Sequence, residues 1–149
     1  MLGPLLFLLY TSPVLKIINQ HGLDGHCYAD DTQIYIHCAP SAAATIAPVL
    51  LRCIDDVNKW MSSNRLKLNG DKTEFLWIGS HHALRKVDMS PLIVSGSSLQ
   101  PATHVRNLGF HLDSELSMTT HVNNLTKTCF LQFRQIRTIR RCVTPSAMK

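Results

Sequence analysis

Gly25-His26-Cys27-Tyr28-Ala29-Asp30-Asp31-Thr32-Gln33-Ile34-Tyr35-Ile36-His37-Cys38 is the stretch whose reading decides the fold. Residues 26–29 and 32–36 are rich in Tyr, Ile, Thr and Cys, which suit a pleated surface, and Asp tolerates a tight turn. The expectation is a β-hairpin with Asp30 and Asp31 at its tip. A two-residue turn there sets Ala29 opposite Thr32, Cys27 opposite Ile34 and His26 opposite Tyr35. Alternation then gives a small apolar face of Cys27, Ala29, Ile34 and Ile36 on which helices can pack. The other face, His26, Tyr28, Gln33 and Tyr35, is polar and aromatic and suits a wet groove.

Two adjacent carboxylates repel each other unless something positive lies beside them. Mg²⁺ is bound by one or two carboxylates together with substrate phosphates, so a metal is one answer. The plain alternative is an acidic turn in solvent, and on this stretch alone it is the commoner case. The flanking residues reverse that preference. Tyr28-Ala29-Asp30-Asp31, followed by Thr-Gln-Ile-Tyr, resembles the catalytic hairpin of reverse transcriptases, particularly those of LINE-type (non-LTR) retrotransposons.

Further blocks extend the resemblance in family order. Gly3-Pro4-Leu5-Leu6-Phe7 with Tyr10 is similar to the segment just before that hairpin. The run from Trp60 to Leu76, through Asn69-Gly70-Asp71-Lys72-Thr73, resembles the next conserved block. In related polymerases a lysine of that block protonates the leaving pyrophosphate, and Lys72 takes the matching place; such general acid work suits a Lys of lowered pKa. On composition alone Lys72 reads as a solvated turn residue. Val105-Arg106-Asn107-Leu108-Gly109-Phe110 resembles the Leu-Gly strand pair that grips the primer end, where Gly109 permits close backbone approach or marks a bulge.

The resemblance implies an α+β fold: a partial polymerase palm over residues 1–115, with a small antiparallel sheet and helices on one face, then the start of a thumb helix over 116–149. It implies Asp30 and Asp31 as catalytic metal ligands for Mg²⁺ or Mn²⁺, and Lys72 as a catalytic acid. Tyr28, Leu108, Gly109, Lys127, Arg134, Arg137 and Arg141 are the implied primer and template contacts. The implied partners are an RNA template, a DNA primer and a dNTP. Nucleotidyl transfer with two ions roughly 4 Å apart needs carboxylates from two strands. The family's upstream aspartate strand has no counterpart in residues 1–24, so the expectation is a fragment cut at both ends and inactive alone.

The remaining features bound the alternatives. The 149 residues suffice for one domain with a modest core. Residues 1–75 hold six Lys/Arg against seven Asp/Glu (−1) and residues 76–149 nine against three (+6), which sum to +5. A basic second half suits a polyanionic partner, although a soluble basic surface needs none. Five widely spaced cysteines, with no Cys-x-x-Cys, argue against a secreted disulfide framework. His26-Cys27 and His37-Cys38 are not brought level by the hairpin, so zinc is not expected.

The apolar N-terminus lacks the basic start of a signal peptide. Thr11, Ser12 and Pro13 interrupt it, so it is expected to be too short to span a membrane, with residues 5–10 a buried helix. An amphipathic helix is expected to end near Ser63-Asn64, its regular part starting near Pro48. Residues 81–88 read as a loop and 92–100 as a hairpin. From Ser117 a helix carries Met118, Val122, Leu125, Cys129, Gln132 or Phe133, Ile136 and Arg140 along one stripe. Lys127, Arg134, Arg137, Arg140 and Arg141 lie on its polar side, and no acid follows Glu115. Three functions compete: a polymerase fragment, a noncatalytic nucleic-acid binder using the basic helix, and a small membrane or secreted protein. The thiols and the missing basic start disfavour the third and point to an intracellular protein.

Overall fold

A computed structural model describes residues 2–94 and 96–140. In chain order it has α1 (Leu2–Gln20), β1 (Asp24–Tyr28), β2 (Asp31–Tyr35), α2 (Ala43–Ser63), β3 (Phe75–Leu76) and α3 (His81–Leu84). β4 (Leu92–Val94), β5 (Ser97–Leu99), β6 (Pro101–Ala102), β7 (His104–Asn107), β8 (Phe110–Asp113) and α4 (Thr119–Ile139) follow. The mixture of helices and small sheets is α+β, as expected. The sheet is not continuous. Among the described residues the strands form four two-stranded units, β1-β2, β4-β5 and β7-β8 antiparallel and β3-β6 parallel.

α1 runs unbroken through Pro13, against the expected break. Proline cannot donate to the carbonyl four residues back, which here is that of Leu9. Ser12 Oγ donates to that carbonyl at 2.9 Å, and Thr11 Oγ1 bonds the Phe7 carbonyl at 3.0 Å. The interrupting hydroxyls therefore support the helix. The resulting 19-residue helix is long and apolar enough to cross a membrane by length and composition. Its second half is spent elsewhere, because Val14 and Ile18, one turn apart, are fully buried in the core. Residues 5–10 are not the buried helix expected: Leu5, Leu6, Leu8 and Leu9 are exposed. Their end of the helix is tied to α2 by Tyr10, whose hydroxyl donates to the Asn64 carbonyl at 2.6 Å and whose ring lies 6.2 Å from that of Trp60.

α1 stops just before His21-Gly22. Gly22 has φ +70°, the Gly22 amide bonds the Asn19 carbonyl (3.0 Å), and the Leu23 amide reaches back to Ile18 (3.4 Å). This is the paired bonding of a Schellman stop, and buried Leu23 and Ile18 supply its apolar contact. α2 ends in the same way with Arg65 in the left-handed position at φ +57°: Arg65 N bonds Ser62 O (3.2 Å) and Leu66 N bonds Met61 O (2.8 Å). α2 begins before Pro48 and runs through it.

The core joins Val14, Ile18 and Leu23 to Cys53 and Val57 of α2, with Ile34 and Ile36 packed against them. A carbon added at Gly25 would lie 2.9 Å from Ile18 Cδ1 and 3.1 Å from Leu15 Cδ2, so glycine lets the hairpin press onto α1. Residues 81–88, expected as a loop, open with the single turn α3, capped by Ser80 Oγ accepting from Ala83 N (3.3 Å). The 92–100 hairpin forms as expected, with Val94 opposite Ser97.

Candidate functional site

The acidic hairpin forms with a register that differs from the expected one. Tyr28 pairs with Asp31, Cys27 with Thr32, His26 with Gln33 and Gly25 with Ile34. The two turn residues are Ala29 and Asp30. Ala29 adopts φ +53°, and a positive φ at the first central position is what the turns favoured in hairpins require. Asp31 is therefore a strand residue, and of the two aspartates only Asp30 is a central turn residue. The shift moves pairing by two in register, so the faces survive. Cys27, Ile34 and Ile36 face the helices, although Ala29 has moved into the turn; His26, Tyr28, Gln33 and Tyr35 face away. Asp31, opposite Tyr28, joins that outer face.

Asp30 and Asp31 are exposed, and neither carboxylate has a hydrogen bond or ion pair among the described residues. Two free carboxylates on adjacent residues suit a cation that also takes oxygens from a phosphate. They do not form a closed cage: among the described residues no group of three His, Cys, Asp or Glu side chains comes together. Asp24 shares the outer face but stands four residues back from Tyr28, roughly 13 Å along the strand.

The second hairpin meets the first. Gln33 Nε2 donates to Asn107 Oδ1 at 3.1 Å. Asn107 is the last residue of β7, and Leu108 and Gly109 are the turn between β7 and β8, at φ +46° and +85°. Two positive φ values mark a type I′ turn, which explains Gly109 as a turn residue and not a bulge. Leu108 is the unusual member: the left-handed region strains an L side chain, and this one is apolar and half exposed.

α4 is fastened to β8. His121 stacks on Phe110 with centroids 4.3 Å apart, and its Nδ1 accepts from His111 N at 3.5 Å. Asp113 holds the turn before the helix. Its Oδ1 accepts from the amides of Ser117 (2.8 Å) and Glu115 (3.1 Å), and its Oδ2 accepts from Met118 N and Ser117 Oγ (both 3.0 Å). The Ser117 amide, above all, holds the Asp113 carboxyl below the usual range, against a smaller opposing effect of burial. Beyond the first turn α4 is almost wholly exposed. Lys127, Arg134, Arg137 and Arg140 have no acidic partner among the described residues, and Phe130 lies beside the first three. Arg141 lies outside the described residues.

Lys72 ends the short 3₁₀ turn Gly70–Lys72, is exposed, and makes no ion pair with the acidic hairpin. The sequence reading missed Gln33, Asn107, Asp113 and His121. Asp113 had a local signal, an Asp four residues before a Ser in a turn-rich run. Gln33 and Asn107 had none, since their meeting depends on tertiary placement.

A family model of reverse transcriptase (RNA-dependent DNA polymerase) matches residues 1–112. The chain belongs to the reverse transcriptase family. No curated protein and no solved structure gives a match. The family region contains both hairpins, the Gln33–Asn107 bond and Lys72, and stops before α4. Reverse transcriptases in general act on nucleic-acid templates with dNTPs.

Proposed function

We propose that this reverse transcriptase chain is the palm and first thumb helix of a LINE-type RNA-directed DNA polymerase. Asp30 and Asp31 hold Mg²⁺ or Mn²⁺, the Leu108-Gly109 turn steadies the primer end, and α4 tracks the duplex backbone. The observation that supports this reading is the Gln33–Asn107 hydrogen bond, which joins the acid-tipped hairpin to the strand that leads into the Leu108-Gly109 turn. The bound ions would supply charge neutralisation at the transferring phosphate and alignment of the 3′-hydroxyl. The chain's own part is to present Asp30 and Asp31, to place Tyr28 beside Asp31, and to offer Lys72 to the leaving pyrophosphate. Asp24 is too far along its strand to complete the ion pair's ligands, so this chain alone does not polymerise.

A second reading, a noncatalytic nucleic-acid binder, draws on the exposed row Lys127, Arg134 and Arg137. Both readings predict sequence-independent binding to an RNA–DNA duplex that weakens steeply with salt. Fluorescence anisotropy over a salt series tests this. Changing Arg134, Arg137 and Arg141 to Gln should lower affinity and flatten the salt slope, by roughly 0.9 log units per decade for each lost contact on the B-DNA scale. A slope unaltered by the triple change, or a preference for anionic vesicles at matched salt, contradicts the thumb assignment.

A further inference from the structure

We propose that α4 takes an unpaired nucleic-acid strand, stacking its bases on Phe130 and Phe133 while Lys127, Arg134 and Arg137 hold its phosphates. The inference rests on the reading of α4 as a phosphate-binding helix, and adds what the helix binds between the phosphates. Lys127, Phe130, Arg134 and Arg137 follow at intervals of three, four and three, so they share one face of the helix. That face is about 15 Å long. Phe133, one turn before Arg137, borders the same shallow depression. Phe130 is 70% exposed and Phe133 66%, so both rings are open to a flat partner.

Charge and ring placement together select this partner. Lys127, Arg134 and Arg137 have no acidic partner among the described residues, and such a row attracts a polyanion. A helix that lies on a membrane keeps its cations and its apolar residues on opposite faces. Here the rings stand between the cations on one face. A duplex offers phosphates but keeps its base faces stacked inside, which would leave both rings in water. An unpaired strand offers phosphates for the cations and flat base faces for the rings. An acidic protein segment also meets cations; the family match to an RNA-dependent DNA polymerase favours a nucleic acid.

The rest of the molecule leaves this face clear. α4 is fastened to β8 near its first turn, where His121 stacks on Phe110. Lys127 to Arg137 lie beyond that junction and are exposed. Leu125 falls on the opposite side of the helix from Phe130 and Arg134 and takes no part. Stacking tolerates any sequence, because every base has such a face, so the site is expected to bind strands without reading them.

The test is fluorescence anisotropy of the full chain at matched salt with a single-stranded oligodeoxynucleotide, an abasic strand of the same length and an RNA–DNA duplex. The base-bearing strand should bind more tightly than the abasic one. Phe130→Ala with Phe133→Ala should lower its affinity roughly fivefold to a hundredfold for each base that stacks, and leave the abasic strand and the duplex unchanged. Both rings are exposed, so the change leaves the core intact, as circular dichroism should confirm. Leu125→Ala should alter none of the affinities. Equal binding of the two strands overturns the proposal while the basic row keeps its phosphate role. So does a double variant that loses nothing, or that weakens strand and duplex alike. No binding to any of the nucleic acids, or a preference for anionic vesicles, sinks the phosphate-binding reading and this inference with it.

Discussion

Gln33 Nε2 donates to Asn107 Oδ1 across 3.1 Å, although the two residues are 74 positions apart in the chain. Gln33 stands on the outer face of the acidic hairpin, two residues from Asp31. Asn107 directly precedes the Leu108-Gly109 turn. One side-chain bond thus links the strand that presents the carboxylates to the Leu108-Gly109 turn, for which the primer contact is proposed.

That bond is measurable. Gln33→Ala, Asn107→Ala and the double variant form a cycle whose coupling in urea unfolding should be about 0.5–1.5 kcal/mol, the net value of a typical hydrogen bond. Strictly additive losses contradict the link.

The core makes a sharper demand. Ile18 is fully buried between the hairpin and α2, so Ile18→Ala should destabilise by about 2–5 kcal/mol. Gly25→Ala forces a carbon within 3.2 Å of two Ile18 atoms and should cost about 1–3 kcal/mol. Equilibrium unfolding checks both, and a neutral Gly25→Ala would mean that the hairpin does not press on α1.

Leu108 and Arg65 carry left-handed strain for different reasons. Arg65→Gly should raise stability by about 1 kcal/mol, because it relieves a helix stop and touches no site. Leu108→Asn should also stabilise, since Asn suits the type I′ turn. It should weaken primer–template binding at the same time. Unchanged duplex affinity in Leu108→Asn removes that residue from the proposed primer contact.

Acid should loosen α4 through Asp113. Its carboxyl is held below the usual value by the Ser117 amide and then by the Ser117 hydroxyl and the Glu115 and Met118 amides. A depressed folded pKa gives stability that is present above the unfolded value of about 3.9 and is lost as pH falls through the folded one. Thermal melts between neutral and acid pH should therefore show a shallower acid loss in Asp113→Asn. An unchanged acid limb contradicts the role.

Local chemistry was legible in the sequence, and tertiary placement was not. The faces of the acidic hairpin followed from alternation and survived a register shift, because a two-residue change in pairing preserves parity. The exact turn was missed, since Asp30-Asp31 is the better turn pair by composition and Ala29 adopts positive φ instead. Pro13 misled because its orphaned Leu9 carbonyl is bonded by Ser12, a rescue that residue type alone does not announce. Tyr28, Asp30 and Asp31 were singled out through a motif, and their exposed place at the hairpin end followed from local pattern. Gln33 and Asn107 join only when two distant hairpins are folded together.

Primer extension on an RNA template with Mg²⁺ or Mn²⁺ should give no product with this chain. Two neighbouring carboxylates cannot fix both ions in line with a 3′-hydroxyl. Extension that disappears in Asp30→Asn would overturn the expected inactivity.

The central claim, that Asp30 and Asp31 form a metal site, is tested most directly by paramagnetic broadening. Mn²⁺ added with a nucleoside triphosphate should selectively broaden the backbone amide NMR signals of Ala29, Asp30 and Asp31, and Asp30→Asn with Asp31→Asn should abolish the effect. Broadening centred elsewhere, or unchanged in the double variant, contradicts the account.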